Sequence, residues 1–378
     1  MDPKPALKKF EGQRPAGTDL RTERPTGGLL DAPFKYARHG QSGLEVSELL
    51  PHTAKFADDL CVLRSVHTNN PNHGPALLLK KNGTMTPKVP SMGAWMSYGL
   101  GTEATDLPGF VVLNGGLIPS GGWDNFGNGF LPASHQATVF KTGKEPLADI
   151  RPRESRPGVQ QAKLGLLNKL DQGVLNRLGK VDELESAIAN YEMAYRMQTS
   201  VPELMDIQGE PDRIHEMYGT QPGKTSFANN CLLARRLSES GVRFIQLYDW
   251  GWDIHGTNAG DDLIDSFPQK CLEVDRPIAA LIRDLKQRGL LEDTLVIWNA
   301  EFGRTPMAQG GKDVKKAGRD HHKDAYTVWM AGGGVKRGHA HGETDEYGYY
   351  AVQDLSLIHI SEPTRPERIW CAGVGVEK

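Results

Sequence analysis

The stretch VRFIQLYDWGWDIHG (242–256) decides the reading, because a run suited to one buried strand passes directly into carboxylate, indole and imidazole groups. VRFIQLY (242–248) has the β-branched and aromatic content of a strand covered on both faces. Before it, Ser226–Ser240 has helical spacing and stops at Gly241. After it, a long helix is expected over Leu263–Arg288, stopped by Gly289. TLVIWNA (294–300) is then a second buried strand and YTVWMAGG (326–333) a third. Strand–helix–strand units of this length require parallel pairing with right-handed crossovers, so an α/β sheet follows.

Working outward, LCVL (60–63) reads as another buried strand and GFVVL (109–113) as one more. Pro75–Lys81 and Ser91–Leu100 suit short helices, and the apolar positions between Leu44 and Phe56 suit a third. Residues 1–43 read as a surface loop, and 114–132 as a Gly-rich loop carrying Trp123, Phe126 and Phe130. Within 161–200, Val181, Leu184, Ile188, Tyr191 and Tyr195 step by three and four, the stripe of an amphipathic helix. Packing against the domain is its expected use, and a coiled-coil partner is the alternative.

With 378 residues, 38 % hydrophobic and 24 % charged, the chain has the make-up of a globular domain. A net charge of −3 advertises no nucleic-acid partner. No apolar run approaches the ~18 residues of a membrane span. Cys61, Cys231, Cys271 and Cys371 lack C-x-x-C spacing, which excludes a cysteine-rich zinc site. Cys231 and Cys271 fall in helical patterns and read as buried structural thiols.

In open α/β sheets, ligands bind at the C-terminal ends of strands. The first strand ends in Asp249, Asp253 and His255, and the second in Glu301 and Arg304. Asp320, His321 and His322 immediately precede the third. Asp253 and His255 lie two apart, so in extended backbone both side chains can face one way. Mixed imidazole and carboxylate donors suit zinc, manganese or iron, whereas oxygen-only sets suit magnesium or calcium. Two other motifs are rejected. GTQPGKT (219–225) is one residue short of a phosphate loop and follows no strand, and GGGVKRGHAHG (332–342) precedes no clear helix. His339 and His341 within the latter read as surface loop residues.

WDIHG (252–256), the run from DRPIAALIRDLKQRG through EFGRTP (275–306) and GRDHHKDAYTVWMAGGG (318–334) resemble the domain-of-unknown-function 1501 family, a branch similar to sulfatases and alkaline phosphatases. The likeness covers nearly all of 1–354. It implies a three-layer α/β/α sandwich with a mostly parallel, alkaline-phosphatase-like sheet, incomplete at both ends. It also implies metal-dependent hydrolysis of a small-molecule or glycan sulfate or phosphate ester, and a periplasmic or secreted location. The divalent ions implied are zinc first, with manganese, calcium or magnesium as alternatives. Asp253 and His255 match the family's first metal pair. Glu301 stands where relatives place the Asp of an Asp-His pair, Phe302 replaces that His, and Asp320, His321 and His322 resemble the late histidine element. Arg304 is then a clamp for the anionic ester. His73 stands where a sulfatase nucleophile is expected, as ligand, general acid or nucleophile. A non-catalytic glycan- or protein-binding member and a phosphomutase-like transferase are the rival functions. The resemblance further implies a strand bearing an Asp ligand ahead of Asp2. At the other end, LSLIHISEPTR (355–365) reads as a translated sequencing adapter, so 355–378 is expected to be a non-native tail on a 1–354 domain.

Overall fold

The computed structural model describes all residues except 17–19, 142–145, 148–149, 152–155, 157, 180, 259, 311–316, 358–369 and 377–378. Its main sheet collects most of the segments rich in Val, Ile, Leu and aromatic residues, with two short strands added at its edge. In chain order these are β1 (Leu60–His67), β2 (Phe110–Leu113), β3 (Thr138–Phe140), β4 (Phe244–Asp249), β5 (Thr294–Ala300), β6 (Tyr326–Ala331), β7 (His339–His341), β8 (Ser356–Leu357) and β9 (Trp370–Val376). The longer helices are α1 (His73–Asn82), α2 (Met92–Leu100), α3 (Val159–Leu178), α4 (Asp182–Met205), α5 (Phe227–Glu239) and α6 (Ser266–Gln287). Spatial order in the sheet is β7-β1-β6-β5-β9-β4-β2-β3, with β8 also paired to β1.

Side-chain alternation along β4 shows why both faces need cover. Ile245 and Leu247 enter the large core with α5 and α6, while Phe244 and Tyr248 join Phe110, Val112 and Phe126 on the other face. In α6, Val274, Ile278, Leu281, Ile282 and Leu285 repeat at helical spacing and all are buried, which docks the helix on the sheet. Ser226 caps α5 by accepting from the Asn229 amide, and Gly83 closes α1 with φ 72°. Among the described residues, no helix is long and apolar enough to cross a membrane.

The expectation of a mostly parallel three-layer sandwich is overturned. The long sheet is mixed, since β6 runs antiparallel to both β1 and β5. Parallel pairing joins β5, β9, β4, β2 and β3, and joins β7 and β8 to β1. Among the described residues, the other four sheets are two-stranded and antiparallel. The reason lies in the connection from β5 to β6, which contains no helix among its described residues. It is folded into short pairings of Gly303–Arg304 with His321–His322 and of Gln309–Gly310 with Ala317–Gly318. Without a crossover helix the chain re-enters the sheet in the opposite direction.

Three local expectations also change. The segment 44–56 is not one helix. Leu44–Ser47 pairs with Tyr36–His39 as a hairpin, and a 3₁₀ turn covers Thr53–Asp59. The loop expected over 1–43 contains, besides Tyr36–His39, the short helix Pro5–Lys9, and its Leu29 and Leu30 are buried. His339 and His341 lie in edge strand β7 rather than in a loop. Of the tail, residues 358–369 and 377–378 fall outside the described residues, and the backbone of β9 pairs with β4 on one side and β5 on the other.

Candidate active site

Strands β4 and β5 end beside the two-residue strands Gly303–Arg304 and His321–His322, and these ends carry the titratable side chains to one rim. Asp253 is the centre. Its Oδ1 lies 2.6 Å from Arg304 Nη2, 2.8 Å from His321 Nε2 and 2.9 Å from His255 Nε2. Its Oδ2 is 3.4 Å from Nε2 of His73, the first residue of α1. The other ring nitrogen of His73, Nδ1, is 2.6 Å from Oε1 of Glu301, which is 4 % exposed.

A close backbone approach makes this possible. A Cβ on Gly318 would lie 2.1 Å from the His255 carbonyl carbon and 2.3 Å from the Gly256 nitrogen. Only glycine lets 317–322 lie flat against 253–256, and that contact brings His321 to Asp253.

The outer partners fix the ring tautomers. His321 Nδ1 is 2.9 Å from the Pro71 carbonyl, which can only accept, so this nitrogen carries the proton. His255 Nδ1 faces Gln309 Oε1 at 2.7 Å. A ring that carries its proton on the outer nitrogen turns its Nε2 lone pair inward, and the two Nε2 atoms lie 3.1 Å from one another and both against Asp253 Oδ1. Burial lowers the His321 pKa, only partly opposed by its contact with Asp253, so the ring is held neutral. Burial alone would raise Asp253. Its contacts with His255, His321 and His73, together with the Arg304 charge, instead hold it far below the usual carboxylate range. Burial would likewise lower His73, but Asp253 and Glu301 prevail and raise it.

His73, Asp253 and His321 offer ligand atoms within 4.8 Å of one another, and His255 contacts the last two. Asp320 and His322, expected among the ligands, are carried elsewhere. The strand alternates, so the neighbours of His321 point to the opposite side. Asp320 Oδ2 accepts from the Arg24 amide at 2.7 Å, and His322 Nε2 meets the Tyr349 carbonyl at 2.6 Å. Arg304 is turned onto Asp253 and the carbonyls of Arg319 and Trp252. Phe302 lies with its ring centroid 4.4 Å from that of His321 and 4.9 Å from that of His73. Asp249 pairs with Lys270 and Trp252 instead of joining the cluster.

Sequence reasoning missed Gln309 and the Pro71 carbonyl. A solitary glutamine in a loop and a backbone oxygen carry no pattern of their own.

Fold and site together define a mixed α/β protein with a buried imidazole–carboxylate cluster at its strand ends. A family model, described as Protein of unknown function (DUF1501), matches residues 1–361, and the chain belongs to that family. No curated protein matches the sequence.

Proposed function

We propose that this chain is a metal-dependent hydrolase of sulfate or phosphate esters, of the sulfatase and alkaline-phosphatase kind. One observation carries the reading. Two imidazole Nε2 atoms and a carboxylate oxygen converge within 2.8–3.1 Å, the spacing of ligand atoms gathered around one cation. The tautomers fit the same need. Ligating histidines characteristically donate their other ring N–H to a carbonyl or amide oxygen, as His321 and His255 do.

Asp253, His255 and His321 would hold the ion, with His73 at the second oxygen of Asp253. Two nitrogens and one carboxylate suit zinc or manganese better than magnesium or calcium. When bound, the ion supplies Lewis-acid polarisation of the ester and a lowered pKa for attacking water. The remaining residues have roles of their own. Glu301 fixes the His73 Nδ1 proton, and the raised pKa of His73 keeps a proton at Nε2 for delivery to the departing oxygen. Arg304 keeps Asp253 ionised, and Phe302 shields two imidazoles from water.

A second reading has its own support. The Arg304 guanidinium already gives Asp253 a cationic partner, and Phe302 stands in place of the second histidine, as in a non-catalytic glycan- or protein-binding member. Elemental analysis of the purified chain, with turnover of 4-nitrophenyl sulfate and phosphate, separates the two. The hydrolase reading expects at least one transition-metal ion per chain, and chelation should abolish turnover. A folded chain that takes up no zinc or manganese on reconstitution would leave the binding module standing.

A further inference from the structure

Beside the cluster lies a cavity of about 470 Å³ that the ester chemistry itself does not use. Its volume is within the range of small-molecule pockets, ~300–1,000 Å³. The walls are aromatic. Trp298 stacks on Trp329 with centroids 6.1 Å apart and planes 8° from parallel, and Trp252 meets the edge of Trp298 at 6.4 Å. Phe267 packs on Trp252 at 5.9 Å and on Phe34 at 6.5 Å. The charged residues of the lining are Arg64, Arg304 and Arg319 against Asp2 alone, so the cavity favours an anion.

Phe302 and Arg304 belong to both places. They line the cavity, and they also contact His321 and Asp253 respectively. A ligand with a flat apolar body among the indoles would therefore bring its charged end to Arg304, next to the cluster. The Arg304 contacts with Asp253, Trp252 and Arg319 use Nη1 and Nη2, which leaves its Nε–H outside these bonds. A guanidinium can donate from this third nitrogen to an anionic oxygen.

We propose that this cavity is the subsite for the aromatic body of the substrate, so that the enzyme prefers aryl esters to alkyl esters. The inference rests on the hydrolase reading for its substrate, but not for its binding test. Trp252, Trp298 and Trp329 supply an intrinsic fluorescence signal, and naphthalene-2-sulfonate is a flat aryl anion that no ester hydrolase can cleave. It should quench that signal and bind at least about tenfold more tightly than methanesulfonate, as burial of an apolar group in a shaped pocket requires. Thr327 lines the cavity and touches none of the cluster residues through a hydrogen bond, so Thr327→Phe should fill the space. The substitution should erase the tenfold preference while metal content and methyl sulfate or methyl phosphate turnover stay unchanged. Ala32→Trp fills the cavity from another wall and serves if the first variant misfolds. Equal binding of the two sulfonates, or a preference that survives in a folded filling variant, overturns the subsite. Aryl preference in a chain that neither binds metal nor turns over esters keeps the subsite and sinks the hydrolase reading instead.

Discussion

Two regions of this protein bury clusters of charged groups, and they are built on opposite logic. In the network around Arg235 on α5, Glu210 lies 2.7 Å from one guanidinium nitrogen, Asp284 lies 3.1 Å from another, and Glu239 completes the set from the next helical turn. Arg288 adds a second cation at 2.7 Å from Asp284, and the Tyr218 hydroxyl donates to the same carboxylate at 3.1 Å. Cation meets anion throughout. Burial would lower the Arg235 pKa, but the bonds to Glu239 and Glu210 outweigh it and raise it. At the Asp253 rim, by contrast, two imidazole Nε2 atoms crowd one carboxylate oxygen. The Arg235 network pairs its charges internally, whereas on the metal reading the rim takes a cation from outside. Burial of titratable groups therefore does not by itself mark a reactive site. The crowding of imidazole nitrogens on one carboxylate oxygen does.

The comparison breaks or holds on stability first. Arg235→Met should cost about 3–5 kcal/mol of unfolding free energy, because three carboxylates lose their common partner in a buried setting. Urea denaturation reads that loss, and metal content per folded chain should not change. Asp253→Asn should do the reverse. It should lower metal affinity and ester turnover by a hundredfold or more, on the order of 3 kcal/mol, with circular dichroism and the urea midpoint nearly unmoved. If Asp253→Asn unfolds the chain and leaves metal content alone, the rim is one more structural ion network.

A finer test separates neighbours. Gln309→Ala removes the partner of His255 Nδ1 and should weaken metal binding by about 10–100-fold, although Gln309 sits outside the ligand set. His322→Gln, one residue from His321, should leave metal binding intact and cost only about 1 kcal/mol of stability through its bond to the Tyr349 carbonyl. Equal effects of these two substitutions on metal affinity would show that the alternation along 320–322 does not sort ligand from anchor.

What the sequence made legible follows from range. Strands β4 and β5 and helices α5 and α6 lie close to their expected limits, because local apolar periodicity specifies them. The direction of β6 was not legible. YTVWMA has the same composition whichever way it runs, and only the connection from 301 to 325, without a helix among its described residues, decides. The hairpin at Tyr36–Ser47 escaped for a related reason, since the apolar spacing of 46, 49 and 50 also fits a helical face. At the rim, Asp253, His255, Glu301 and His321 could be named from their places at strand edges, and His73 only through the family resemblance. The sequence could not choose among 320, 321 and 322, because that choice depends on how a two-residue strand is rotated against Gly303–Arg304.

The smallest expected effect concerns Arg304, whose reading changes most between sequence and structure. As a clamp for the ester, its replacement by lysine would weaken substrate binding while sparing the metal. In the structure its guanidinium spans Asp253 Oδ1 and two backbone carbonyls, a planar geometry that lysine cannot reproduce with one ammonium. Arg304→Lys keeps a positive charge near Asp253, so the carboxylate stays ionised and the metal should be lost only slightly. The 253–256 loop loses its tie to the Arg319 carbonyl, which should raise KM for an aryl ester by about tenfold or less, roughly 1 kcal/mol. Titration of the folded variant with zinc, followed by steady-state kinetics at full loading, measures the two effects separately. A large loss of metal affinity with KM unchanged would instead make Arg304 the residue that orients Asp253 for the ion, and would move it from the substrate side of the rim to the metal side.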